Sequence, residues 1–211
     1  MLDPYLYEDC AVLKNKLGIK DEDTLNLAEV EFSCNAIHDL LTNPIPGEYD
    51  FAHLCRFHAQ IFGDIYDWAG QPRTVPIKKA EAVLGHMTIE YALPQEIESA
   101  ATEVLKRMNG IKWQMLPLEE QAKALSSGLA DLWKVHPFRE GNTRTTVTFI
   151  CQFAESKGIP LDRVLFEQNA AYVRSALVAA SAIFRDGDFR KPEYLIRIVT
   201  DALKRGSSKE T

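Results

Sequence analysis

The sequence predicts an all-α domain that carries one short β-hairpin flap. Two observations lead to that expectation. Apolar residues recur at steps of three and four through most of the 211 residues. One segment, AGQPRTVPIKKAEAVLGHM at 69–87, breaks the pattern. There Gly70, Pro72, Pro76 and Gly85 interrupt any helix, while Thr74, Val75 and Ile77 favour extended chain.

Helices are expected near 24–42, 50–63 and 94–109, the last with Pro94 in its first turn. From Leu118 the positions Ala122, Leu125, Leu129 and Leu132 form one apolar stripe. A further helix opens at Asn142 or Thr143, with Asn142 as its expected N-cap. Val147, Ile150, Cys151 and Ala154 lie on one side of it and Phe149 and Phe153 on another, so it is apolar most of the way round and central. KGIP at 157–160 ends it with a glycine stop and a proline. Two more helices are expected near 167–184 and 192–204, and KRGSSKET reads as polar and frayed. The expected organisation is therefore a single domain over 1–204, a flap at about 71–87 and a flexible tail at 205–211.

A chain that is 46% hydrophobic and 26% charged can bury a sizeable core. Its net charge of −6 gives no electrostatic footprint for nucleic acid, although one pocket can still attract an anion. No apolar run reaches membrane-spanning length, and MLDPYLYEDC lacks the regions of a signal peptide. The expectation is a cytoplasmic protein without membrane or nucleic-acid partners; a dedicated secretion machine would export it without leaving such a mark. The four cysteines are well separated, which reads as isolated buried thiols in a reducing compartment. His53, Cys55 and His58 lie close together in HLCRFH. The two histidines are more than a quarter-turn off a shared helical face and no second ligand pair follows, so structural zinc is not expected.

The chemistry concentrates in HPFREGNTRTT, 136–146. Pro137 cannot continue the preceding helix and disfavours helical geometry at His136, which fixes that histidine on a turn. The amides just after Asn142 have no partners within the helix. With the positive helix end and Arg144 they make an anion site suited to phosphate. Glu140 can hold a hard cation such as Mg²⁺ between phosphate oxygens. A histidine titrates near neutrality, so His136 is suited to take a proton from a hydroxyl. Phe138 anchors the turn in the core. A capped helix start with a buried structural histidine is the bland alternative for a lone His-Pro pair; the acid, Gly-Asn and Arg in this order favour the functional one.

At these residues the chain resembles the Fic domain family, whose signature is His-Pro-Phe-x-(Asp/Glu)-Gly-Asn-Gly-Arg. YDWAGQPRTVPI at 66–77 is similar to that family's approach to its target-binding flap, and DPYLY with LKNKLGI is similar to the start of short, toxin-like bacterial members. The resemblance implies a Fic-type helical core and transfer of AMP from ATP to a Ser, Thr or Tyr hydroxyl of a target protein. It implies His136 as base, Glu140 as the Mg²⁺ ligand and Gly141, Asn142, Thr143 and Arg144 as the nucleotide cradle. It also implies that the flap holds the target by strand addition, through Ile77, Lys78, Lys79, Val83 and Leu84.

Two positions depart from the signature. Thr143 replaces its second glycine, and Val147 stands where a second arginine usually follows. In the Doc branch a lysine at the position of Thr143 accompanies inverted nucleotide binding and phosphate transfer. A phosphotransferase or other nucleotide-derived transfer is therefore the alternative to adenylylation, and a non-catalytic binding module a more remote one. Lys78 or Lys79 could supply the cation that Val147 lacks. Many members inhibit themselves with (Ser/Thr)-x-x-x-Glu-(Gly/Asn); here Glu before Gly or Asn occurs only at 140–141. The expectation is a separate small antitoxin-like protein whose glutamate reaches Arg144.

Overall fold

The computed structural model describes residues 3–184 and 187–209. Helices α1 (Glu22–Thr42) and α2 (Phe51–Phe62) pack together, each opened by an aspartate whose carboxylate accepts from a backbone amide of the first turn. The flap follows: strands β1 (Ala80–Glu81) and β2 (Met87–Thr88) pair antiparallel across a tight turn, with Ala80 opposite Thr88. Next come α3 (Ile97–Asn109), α4 (Leu118–Val135) and α5 (Asn142–Ser156), then α6 (Arg163–Gln168) and α7 (Ala170–Ala180). A second small hairpin, β3 (Ile183–Phe184) with β4 (Gly187–Asp188), leads into α8 (Glu193–Lys209).

Helix α4 packs against α3, α5, α7 and α8, and α5 packs on α2 as well. The core therefore runs on both sides of the α4–α5 turn. Leu125, Leu129, Leu132, Trp133, Phe149, Ile150 and Phe153 are all buried there, as the apolar stripes require. The turn joining the two helices is held from below by packed side chains and opens on one face toward the flap.

Three expectations change. The helix expected near 167–184 is two helices, because Asn169 leaves helical geometry (φ −122°) and its side-chain amide donates back to the Leu165 carbonyl at 2.8 Å. The second of them ends at Ala180 and gives way to β3. Residues 205–209 belong to α8 rather than to a frayed tail; Gly206 is buried against the backbone of Pro160, where a side chain would not fit. Residues 210 and 211 lie outside the described residues. None of the four cysteines is fully buried or bonded to another: Cys34 is exposed and the other three are half-buried.

Candidate active site

The site is built on the turn between α4 and α5. His136 ends α4 with φ 52° and ψ 59°, a left-handed conformation that costs a non-glycine residue about 1–3 kcal/mol. Arg73 holds it there. This buried guanidinium donates to the His136 carbonyl at 2.9 Å, to the Val75 carbonyl at 2.9 Å and to the Ala92 carbonyl at 2.5 Å. The Arg73 amide adds a bond to the Pro137 carbonyl at 2.8 Å. One residue thus fastens the turn to the chain on both sides of the flap.

The imidazole of His136 is buried, with Nδ1 3.3 Å from the Trp133 carbonyl. A carbonyl only accepts, so Nδ1 carries the proton and Nε2 presents a lone pair. Among the described residues no group partners Nε2. Burial, reinforced by the charge of Lys79, holds the imidazole well below the usual histidine range. It is neutral at physiological pH and placed to accept a proton.

Four residues on, Glu140 accepts from the Gly141 amide at 3.0 Å and from the Lys79 ammonium at 2.8 Å. Burial opposes ionisation, but Lys79, the Gly141 amide and Arg144 together bring its carboxyl down to about 2. The backbone of Glu140 is fixed by His58, whose Nε2 lies 3.1 Å from the Glu140 carbonyl while its Nδ1 accepts from the Gly70 amide at 2.8 Å. The His58 ring stacks on Phe138 with centroids 3.8 Å apart, so Phe138 anchors the turn as its type suggests. His53 is committed to the Tyr49 amide and the Ile45 carbonyl. Among the described residues no three His, Cys, Asp or Glu side chains cluster for a metal. A single ionised carboxylate fits Mg²⁺ held mainly by nucleotide phosphates, and it does not fit a protein cage.

Asn142 is not the N-cap. Gly141 caps α5 with φ 76°, and an added Cβ there would meet the Phe62 ring at 2.3 Å. The Asn142 side chain turns back instead: Phe138 N donates to its Oδ1 at 2.8 Å and its Nδ2 donates to the Phe138 carbonyl at 2.7 Å. It locks the turn and leaves the amides of the first helical turn without a side-chain cap. The Thr143 hydroxyl accepts from the Trp133 indole at 2.8 Å.

Arg144 lies 4.7 Å over the Phe62 ring and donates to Ser33 Oγ at 2.8 Å and to Glu29 Oε2 at 2.5 Å. Glu29 is buried on α1 and also accepts from the Tyr66 hydroxyl. In the chain alone Glu29 holds the Arg144 guanidinium that an outside glutamate is expected to reach. The sequence pattern did not point to Glu29, because its neighbour is Val30 rather than Gly or Asn.

Of the expected flap residues, only Lys79 reaches the turn. Ile77 and Lys78 line a groove between the flap and α3–α4, Val83 is exposed and Leu84 packs on the core. Beside Thr143 and Arg144 lies a mostly apolar cavity of about 440 Å³, lined by Ile37, Val147, Phe166 and Val173 among others. Besides Glu29, sequence reading missed Arg73, His58 and Tyr91, whose roles depend on contacts between segments far apart in the chain.

Comparison with known proteins agrees with this geometry. The sequence model of the Fic/DOC family matches residues 48–154, about half of the chain. Protein adenylyltransferase VbhT of Bartonella schoenbuchensis is 35% identical over 161 residues, which are 76% of this chain and 32% of that protein. The probable protein adenylyltransferase y4lH of Sinorhizobium fredii is 30% identical over 78% of this chain and 82% of its own length. The chain therefore spans about a third of the first relative and about four fifths of the second. BepC, a VirB-translocated effector of Bartonella tribocorum solved with bound AMPPNP, shares the fold with a TM-score of 0.76. That likeness covers 94% of this chain and 95% of that one at 21% identity. The matched region contains both the flap and the His136–Arg144 turn, and the chain belongs to the Fic/DOC family.

Proposed function

We propose that this chain transfers AMP from ATP to a side-chain hydroxyl of a target protein. The observation that carries the reading is the unpartnered Nε2 lone pair of His136, held on a strained turn directly before a helix start with open amides. The Ser, Thr or Tyr oxygen attacks the α-phosphorus as Nε2 takes its proton. The α–β phosphoanhydride bond breaks, and its electrons leave with pyrophosphate. The amides at the start of α5 bind phosphate oxygens, while Asn142 and Arg73 keep the turn in shape. Mg²⁺, when bound by Glu140 and the nucleotide, neutralises phosphate charge. Lys79 is close enough to Glu140 to serve the same phosphates as a mobile cation. The apolar cavity beside Thr143 suits the nucleoside in size and lining. The names of the adenylyltransferase relatives and the AMPPNP bound by BepC support ATP as donor.

The target lies in the groove beside the flap, where β1 and β2 offer main-chain groups and Ile77 and Lys78 line the wall. We place this activity in the cytoplasm; no helix among the described residues is long and apolar enough to cross a membrane. A small antitoxin-like partner acting at Arg144 would have to displace Glu29. Co-expression with neighbouring small proteins tests that part: a partner that binds and blocks transfer supports it, and undiminished transfer removes it.

Incubation of the chain with a proteome and α- or γ-labelled ATP tests the main reading. Protein-bound α-label alone is the expected result. Thr143, at the position where the Doc branch differs, favours the second reading of phosphate transfer, and γ-label alone would establish it in place of the first.

A further inference from the structure

Tyr91 lies outside the signature and follows the flap, yet its ring stacks on the His136 imidazole. The centroids are 3.9 Å apart and the planes 23° from parallel. Trp133 meets the same imidazole edge-on at 5.3 Å and 90°. With one face covered and one edge blocked, the imidazole cannot turn about its χ2 bond without losing both contacts and the Nδ1 bond to the Trp133 carbonyl.

Tyr91 is itself held from two directions. Its hydroxyl lies 3.4 Å from Glu81 Oε1 on β1, and Glu81, buried, receives both Nη atoms of Arg174 on α7 at 2.8 and 3.1 Å. On the backbone side, Arg73 grips the Ala92 carbonyl next to Tyr91 with the same guanidinium that grips the His136 carbonyl. The two stacked residues therefore share one clamp. Arg174, Glu81 and Tyr91 connect α7 through the flap to the face of the base.

We propose that Tyr91 is a positioning residue for His136, an inference that rests on His136 acting as a base. The ring fixes the aim of Nε2 at the incoming hydroxyl. Its electron-rich face also meets the positive charge that the imidazole gains with the proton. Neither contribution requires contact with ATP. Removing the ring lowers the maximal transfer rate by about 30-fold and leaves the ATP concentration for half-maximal rate unchanged, since near-attack geometry is sensitive to small displacements.

The test uses Tyr91→Phe and Tyr91→Leu with two readouts. The first is incorporation of α-label from ATP into a proteome over a range of ATP concentrations. The second is long-range ¹H–¹⁵N NMR of the histidine rings in the chain alone, which does not depend on any activity. In wild type the His136 carbon-bound ring protons are expected upfield, from the current of the stacked ring. Tyr91→Phe keeps that shift and stays within about threefold of the wild-type rate, because stacking outlasts the hydroxyl. Tyr91→Leu loses both the shift and the rate. A wild-type spectrum without the upfield shift overturns the proposal, as does a folded Tyr91→Leu protein with wild-type rate. If Tyr91→Leu does not fold, loss of the upfield shift in Tyr91→Phe overturns it equally. Wild type that shows the shift but transfers no label refutes the enzymatic reading instead.

Discussion

Lys79 of the flap places its ammonium 2.8 Å from Glu140 Oε2, on the carboxylate that would meet a metal ion. Both side chains are a little over a quarter exposed, so the pair is screened but not fully solvated. A divalent cation must share or displace that ammonium. Replacing Lys79 with Met is expected to lower the Mg²⁺ concentration for half-maximal transfer by about fivefold, the equivalent of roughly 1 kcal/mol of removed competition. Glu140→Ala is expected to abolish transfer at every Mg²⁺ concentration. A Mg²⁺ titration of label incorporation checks both, and an unchanged midpoint in Lys79→Met would show that the two cations do not compete.

His136→Ala is expected to lower transfer by at least a hundredfold and to leave nucleotide binding within about threefold. Stability should change little, since the lost ring contacts with Tyr91 and Trp133 are offset by removing a buried nitrogen without a partner. His136→Gly should also relieve the left-handed strain and gain about 1 kcal/mol. Label incorporation and urea unfolding separate the two effects; a variant that loses stability and activity together would make His136 structural.

The helical stripes at 118–135 and 142–156 could be read from the sequence because their apolar period continues through residues that are mostly buried. The turn could be read because proline, glycine and asparagine each act there through local backbone preferences. Asn142 was the local ambiguity. It has the side chain of an N-cap, but Gly141 alone fits against Phe62 and leaves Asn142 to fold back on Phe138. Arg73, Glu29 and Tyr91 could not be found in this way. Arg73 bonds a carbonyl 63 positions away and Arg144 one 115 positions away, and no period or cap encodes such pairs. The frayed tail failed for the same reason, since Gly206 is a stop signal locally and a close-packing residue against Pro160.

Burial lowers the His58 imidazole from 6.5 to about 3, so the folded protein resists its protonation while the unfolded chain accepts the proton. The linked stability is fully present above pH 6.5 and is lost as pH falls toward the folded value. Between pH 6.5 and pH 5 this single residue is expected to withdraw about 2 kcal/mol. Urea midpoints across that range check it. His58→Gln, which cannot protonate, should show a flatter pH dependence from a lower starting stability.

Glu29 accepts from Arg144 and Tyr66 while buried on α1. Glu29→Ala takes the carboxylate from Arg144, which keeps Ser33, and from the Tyr66 hydroxyl, and the expected loss is about 2 kcal/mol. Glu29→Gln keeps an acceptor for one of them and should lose about half as much. Thermal unfolding measures both, and an Ala variant as stable as wild type would show that water replaces the carboxylate.

Thr143 sits where the family signature has glycine, and its hydroxyl accepts from the Trp133 indole at 2.8 Å. The hydroxyl is thus tied to α4, while the methyl adds bulk at the helix start that phosphate must approach. Two substitutions separate these contributions. Thr143→Gly removes both, so the transfer rate should rise by roughly tenfold as the donor settles against the amides. Stability should fall by about 1–3 kcal/mol because the Trp133 N–H loses its acceptor. Thr143→Ser keeps the hydroxyl and loses only the methyl, so it should gain most of the rate without that stability cost. Trp133 also contacts His136 edge-on, so a freed indole in the Gly variant could disturb the base and hide the gain; the Ser variant avoids this. Rates with α- and γ-labelled ATP, measured on all three proteins beside their thermal midpoints, test the account. If Thr143→Ser transfers no faster than wild type, the methyl does not hinder the donor. If wild type incorporates γ-label and Thr143→Gly α-label, the threonine sets which phosphorus faces His136.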